Sequence, residues 1–206
     1  MSGFKTRVTI LMLILSSTLL TKVYADDKIA LIETVSPKNA TGDVAKVYKE
    51  INDQWQMVPN PIKLYSGNPE MLKQRWESYK MIGQHKTIDE KFQTIIRMLV
   101  SAQHDCQYCI GINESMLINM FKMDKSKVMA MKKDPSTTPL PEKEKALLLF
   151  TLKAVHDSKS TTKEDIEALQ KLGWTDAEIF FATSYAAEMV ATDILINAFQ
   201  VKIDYK

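Results

Sequence analysis

Residues 87–120 read TIDEKFQTIIRMLVSAQHDCQYCIGINESMLINM. Within them Phe92, Ile95, Ile96, Leu99 and Val100 recur at steps of three and four, the period of one face of an α-helix. Thr87 and Glu90 have the spacing of a capping box, in which the hydroxyl and the carboxylate satisfy each other's free backbone N–H groups; they predict the start of that helix. The helix runs into His104-Asp105-Cys106-Gln107-Tyr108-Cys109, and a second helical pattern follows with Ile112, Met116, Leu117 and Met120. The cysteine pair therefore belongs at or just inside a helix start, not in a hairpin of the zinc-finger kind.

The same period extends outward in both directions. Val44, Val47, Tyr48, Ile51 and Trp55 predict a helix over 42–55 with Thr41 as its cap. Val58-Pro59-Asn60-Pro61 ends it, because neither proline donates a backbone hydrogen bond and each restricts the residue before it. Asn68 and Pro69 open a long helix carrying Leu72, Trp76 and Tyr79. Beyond a Pro-, Ser- and Thr-rich loop at about 134–141, Leu147, Leu148, Phe150, Thr151 and Val155 mark a helix over about 142–157. Thr161 and Glu164 read as a capping box ahead of Ile166, Leu169 and Leu172, and Gly173 is placed to close that helix in the left-handed conformation. Trp174-Thr175-Asp176-Ala177-Glu178-Ile179 combines a capping box with a hydrophobic staple. The stretch 182–199 is apolar yet holds Glu188 and Asp193, which predicts a buried or subunit-contact helix rather than a membrane span. No segment alternates at period two for long enough to demand a sheet, so the expected fold class is all-α.

At the N-terminus, Lys5 and Arg7 precede an apolar run from Val8 to Leu20, and Val23-Tyr24-Ala25 offers tolerated cleavage residues, the three-part order of a secretory signal. The run falls short of the roughly 20 apolar residues of a membrane-spanning helix, which favours cleavage over an uncleaved anchor. Residues 1–25 are expected to be a signal peptide and 26–206 a single domain, periplasmic or secreted, with no stable membrane insertion after cleavage. The chain has 27 basic and 25 acidic residues; without Lys5, Arg7 and Lys22 the remainder holds 24 and 25, a net charge of −1. That balance gives no reason to expect a nucleic-acid partner. With six glycines and no glycine-rich turn after a strand, a dinucleotide site is excluded, and neither a cofactor nor a metal is expected.

Cys106 and Cys109 are the only cysteines. At a helix start, exposed N–H groups and the helix field favour thiolate over thiol, which makes Cys106 the candidate nucleophile. Cys109, one turn on, is the candidate resolving thiol. His104 is the candidate proton acceptor, since a free imidazole titrates near pH ~6.5; the competing reading is a surface histidine at a helix end. A single inert disulfide is the structural alternative for the pair. A zinc site of His104, Cys106, Cys109 and His85 fits the cysteine spacing but lacks a recognisable second half. Met116, Met120, Met123, Met129 and Met131 are read as core filling ahead of copper ligands.

Ala40-Thr41-Gly42-Asp43-Val44, Val58-Pro59-Asn60, Cys106-Gln107-Tyr108-Cys109 and Leu172-Gly173-Trp174-Thr175-Asp176, in this order, carry a further signal. From about Glu33 to Ile203 the chain resembles the carboxymuconolactone decarboxylase family, in particular its alkylhydroperoxidase D-like branch. The resemblance implies antiparallel helix packing and assembly as a homo-oligomer. Apolar residues on more than one face of the last helix, Phe180, Phe181, Tyr185, Met189, Ile194, Leu195 and Phe199, agree with self-association. It also implies a proton relay: a glutamate twelve residues before the first cysteine and a histidine four residues after the second. Thr94 and Asn113 stand at those positions, and neither side chain is a base near neutral pH. The resemblance makes Cys109 the sulfur that meets the peroxide, against the helix-start argument for Cys106. The lipoyl-bearing reductant of the cytosolic family is out of reach of an exported chain, so the thiol reductant is unknown. The expected function is an exported thiol-dependent redox protein that reduces hydroperoxides through a Cys106–Cys109 dithiol/disulfide cycle. The alternative is a non-catalytic oligomeric helical protein with an inert disulfide. Lactone decarboxylation lacks a histidine-rich acid–base cluster here.

Overall fold

The computed structural model describes residues 28–205, so the expected signal peptide at 1–25 lies outside the described residues. Among these the secondary structure is helical, with no strand: α1 Gly42–Trp55, α2 Asn60–Lys63, α3 Pro69–Gly83, α4 Glu90–Gln103, α5 Gln107–Ser115, α6 Lys125–Lys133, α7 Glu142–His156, α8 Lys163–Lys171 and α9 Asp176–Ala198. A π-helical turn, Met116–Met120, prolongs α5.

Two apolar clusters form. The smaller joins α1 to α3 through Val44, Val47, Tyr48, Ile51, Leu72 and Trp76, the stripe residues of both helices, with Val58 and Ile62 from the segment between them. The larger is built around α4, whose Phe92, Ile95, Ile96, Met98, Leu99 and Val100 are buried against α5, α7 and α9. Residues on two faces of α4 are covered because neighbours pack on both sides of it, which makes it the central helix. Among the methionines, Met123 and Met131 fill this core, whereas Met120 and Met129 are exposed. Polar contacts tie the clusters together: Arg75 of α3 bonds Glu188 and Thr192 of α9, and Asn60 bonds the C-terminal tail.

Helix ends follow local chemistry, with three corrections. α1 has the expected bounds, but the Thr41 side chain makes no capping hydrogen bond. α4 is capped by Asp89, whose carboxylate accepts from the Phe92 N–H, rather than by a Thr87–Glu90 box. A carboxylate one residue before the helix places a full charge at its positive end, which a threonine two residues further out does not. The box before α8 is likewise shifted by one, to Thr162 and Asp165. The Thr175–Glu178 box of α9 forms as read, with Gly173 at φ +86° closing α8. α9 is long and apolar enough to cross a membrane by length and composition alone, but Ala182, Tyr185, Ala186, Met189, Asp193 and Ile196 turn one face into the core. Phe180 and Ile194, 73% and 57% exposed, occupy other faces.

Candidate functional site

The turn between α4 and α5 sets the cysteines in place. Asp105 adopts a left-handed conformation, φ +52°, and the Cys106 N–H returns to the Ser101 carbonyl at 3.1 Å. This is the Schellman closure of a helix, made with an aspartate where glycine is usual. The chain reverses within one residue, so Cys106 ends the closure of α4 and serves as the N-cap of α5. Cys109 lies in the first turn of α5. Both are free thiols and buried, 0% and 3% exposed.

A third group joins them from a distant part of the chain. A carboxylate oxygen of Asp193, on α9, and the two sulfurs all lie within 4.8 Å of one another. Asp193 is fully buried; its Oδ1 accepts from the Ser101 hydroxyl at 2.9 Å, and its Oδ2 has no hydrogen-bonding partner. Burial pushes the carboxyl above the ordinary carboxylate range, against the opposing pull of the two thiols, Ser101 and His104. The Cys109 thiol is raised strongly, first by its hydrogen bond with Cys106 and then by burial. His104 is the C-cap residue of α4, and its Nε2 is buried without a hydrogen-bonding partner. It is not a histidine standing free in solvent, yet it is not one of the three residues whose donor atoms lie within 4.8 Å of one another. His85 stacks on Phe181 at 4.0 Å, and its Nδ1 accepts from the Ile88 N–H. The zinc set built on His85 is thereby ruled out.

The C-terminal tail lies over α5. The Tyr205 hydroxyl donates to the Tyr108 carbonyl at 2.8 Å, and the two rings meet edge to face at 5.2 Å. Tyr108 in turn donates to Asp204 at 2.6 Å, whose other oxygen accepts from the Asn60 N–H at 2.6 Å. Burial and the Asp204 carboxylate hold the Tyr108 phenol well above its usual pKa, so it stays a donor. Gly111 makes the close approach possible, since a Cβ there would lie 2.3 Å from the Tyr205 hydroxyl. Two surface hollows of 270 and 240 Å³, lined by residues such as Leu149 and Leu169 or Tyr48 and Val58, include neither cysteine.

No protein-family model matches the chain, and no curated protein matches it. Solved structures do. The alkylhydroperoxidase AhpD core of an uncharacterized peroxidase-related protein from Ralstonia eutropha JMP134 is similar at a TM-score of 0.75 and 17% identity, over 86% of this chain and 93% of that one. An uncharacterized peroxidase-related protein from Silicibacter sp. TM1040 gives 0.71 and 18%, over 86% and 90%. The debrominase Bmp8, as a cysteine-to-alanine variant in complex with 2,3,4-tribromopyrrole, gives 0.65 and 20%, over 84% and 91%. This chain has the AhpD-like fold.

Within the AhpD-like fold, positions 94 and 113 do meet, but around an arginine. Arg97 donates to Asn113 Oδ1 from Nε and to Thr94 Oγ1 from a terminal nitrogen, both at 2.7 Å, and to the Tyr185 hydroxyl at 2.5 Å. Asn113 Nδ2 also donates to the Cys109 carbonyl at 2.8 Å. The two positions assigned to the relay thus take part in a hydrogen-bonded polar bridge between α4, α5 and α9. Neither Arg97 nor Asp193 was picked out from the sequence as a site residue. Each is a charge set in an apolar helix, and Asp193 shares the three- and four-residue steps of Ala186, Met189 and Ile196.

Proposed function

We propose that the chain is a thiol redox protein in which Cys106 and Cys109 pass between dithiol and disulfide, with a hydroperoxide as the oxidant and Asp193 as the group that handles the proton. The observation that carries this reading is the grouping of two free sulfurs and one buried carboxyl within 4.8 Å. In the reaction, one thiol gives its proton to the carboxylate and its sulfur attacks the outer peroxide oxygen. The O–O bond breaks, the carboxyl returns a proton to the leaving alkoxide, and a sulfenic acid remains. The second thiol attacks that sulfur, forming the S–S bond and releasing water. A thiol donor of unidentified kind restores the dithiol. The start of α5 lowers the cost of the negative sulfur. The burial of both sulfurs favours a small oxidant.

A second reading, a pair that does not turn over, is favoured by the burial of both sulfurs and the raised Cys109 thiol. The Arg97 bridge at the two relay positions points the same way. Export through residues 1–25 and self-association through the exposed apolar residues of α9 belong to the same proposal. The deciding experiment follows the metal-free, reduced chain after addition of a hydroperoxide, with the disulfide detected by mass. A bromopyrrole is included as a second oxidant because a debrominase shares the fold. Disulfide formation reversed by a mild dithiol supports the redox reading; no oxidation, or a disulfide that resists reduction, supports the second.

A further inference from the structure

We propose that Cys106, Cys109 and Asp193 form a buried binding site for a thiophilic divalent cation, with Zn²⁺ as the probe ion. The inference requires only that both sulfurs be reduced and does not depend on their cycling. Tetrahedral zinc binds thiolate sulfur at about 2.3 Å and carboxylate oxygen at about 2.0–2.2 Å, which sets its donor atoms roughly 3.5–3.8 Å apart. The three donor atoms here already lie within 4.8 Å of one another, so closing on an ion asks for small side-chain shifts, not a new backbone.

A further observation points to a ligand. Asp193 Oδ2 is buried with no hydrogen-bonding partner, an arrangement that costs free energy unless something satisfies the oxygen. His104 Nε2 is buried and unpartnered as well, outside the three donor atoms grouped within 4.8 Å. Two sulfurs and a carboxylate oxygen make a donor set for zinc and its soft neighbours, with one tetrahedral position left for water, while calcium and magnesium demand oxygen alone. The first turn of α5 contributes its exposed N–H groups and dipole where two thiolates would gather charge. Binding releases one proton from each thiol, and two thiolates with one carboxylate leave a net charge of −1 around the ion. Formation of the disulfide removes both sulfur ligands, so ion and disulfide exclude each other.

The test is anaerobic titration of the reduced, reductant-free full chain with Zn²⁺ against a chromophoric chelator, and with Co²⁺ for its thiolate charge-transfer absorption. One ion per chain is expected, with the cobalt band lost on oxidation of the pair. Cys106→Ser should abolish binding, and Asp193→Asn should weaken it by at least about 10–100-fold, the cost of losing an outer-shell partner. Circular dichroism is the check that each variant remains helical, and Asp193→Asn preserves side-chain volume where alanine would leave a cavity. Absence of stoichiometric binding, or affinity unchanged in Asp193→Asn, overturns the proposal. Peroxide oxidation of the metal-free chain is measured separately, so either result stands apart from the redox reading.

Discussion

The helix pair α4–α5 presents two polar regions that differ in kind. Around Cys106, a turn closed by a left-handed aspartate brings two sulfurs to a buried carboxyl that retains one unpartnered oxygen. Around Arg97, Thr94, Asn113 and Tyr185 supply an acceptor for each of the three nitrogens of the guanidinium. The first region is under-satisfied, as reactive sites are; the second is satisfied, as structural bridges are. On the proposed redox reading, the difference turns the search for a proton-handling group to Asp193 on α9 and away from positions 94 and 113.

The contrast breaks most sharply at the sulfurs. Cys106→Ser and Cys109→Ser should each abolish the intramolecular disulfide and all peroxide consumption that depends on it, read by mass and by residual peroxide. Next in size, Asp193→Asn should slow oxidation of the metal-free pair by about 100-fold. Thr94→Ala should leave that rate within about threefold, and Asn113→Ala should instead lower stability by about 1–3 kcal/mol, the cost of stranding a guanidinium donor. Stopped-flow oxidation and denaturant melts separate these effects, and a large rate loss in Thr94→Ala would reverse the assignment of the two regions.

A smaller effect concerns access. Gly111→Ala suits the interior of α5 but places a Cβ 2.3 Å from the present Tyr205 hydroxyl, so the ring must leave. Thiol labelling should speed up by about tenfold, the scale of one lost hydrogen bond and ring contact. An unchanged rate would mean that the tail does not govern entry. The smallest effect is one of pH. Because the Cys109 thiol is raised in the folded chain, above pH ~8.5 the unfolded state sheds a proton that the folded state keeps. Stability should therefore be full below that pH and fall by up to about 1.4 kcal/mol per unit above it. Melts of Cys109→Ser, compared across the same range, should show a shallower slope.

Much of the fold is legible in the sequence because it rests on periodicity and local caps. α1 has the expected bounds, the Thr175–Glu178 box forms as read, and Gly173 takes the left-handed conformation. The near misses are also local: Asp89 outcompetes Thr87, and Thr162 outcompetes Thr161, where two polar residues stand close together ahead of one helix. The site was half legible. Cys106 and Cys109 declare themselves by spacing, and the helix start between them follows from the flanking patterns. Asp193 does not, because its approach to the sulfurs depends on how α9 packs across α4. The sign available was its place on the apolar stripe of α9, where a carboxyl has to be buried. Asp105 was hidden for another reason: its left-handed turn is a glycine's role filled by a residue that adopts it less often.

The central claim is that the buried pair is a working redox couple. Equilibrating the chain in dithiol/disulfide buffers and quantifying the Cys106–Cys109 disulfide by mass tests it most directly. The account predicts a reversible two-electron transition at a potential above about −300 mV. A pair that stays oxidised well below that value, or that never closes into a disulfide, would contradict it.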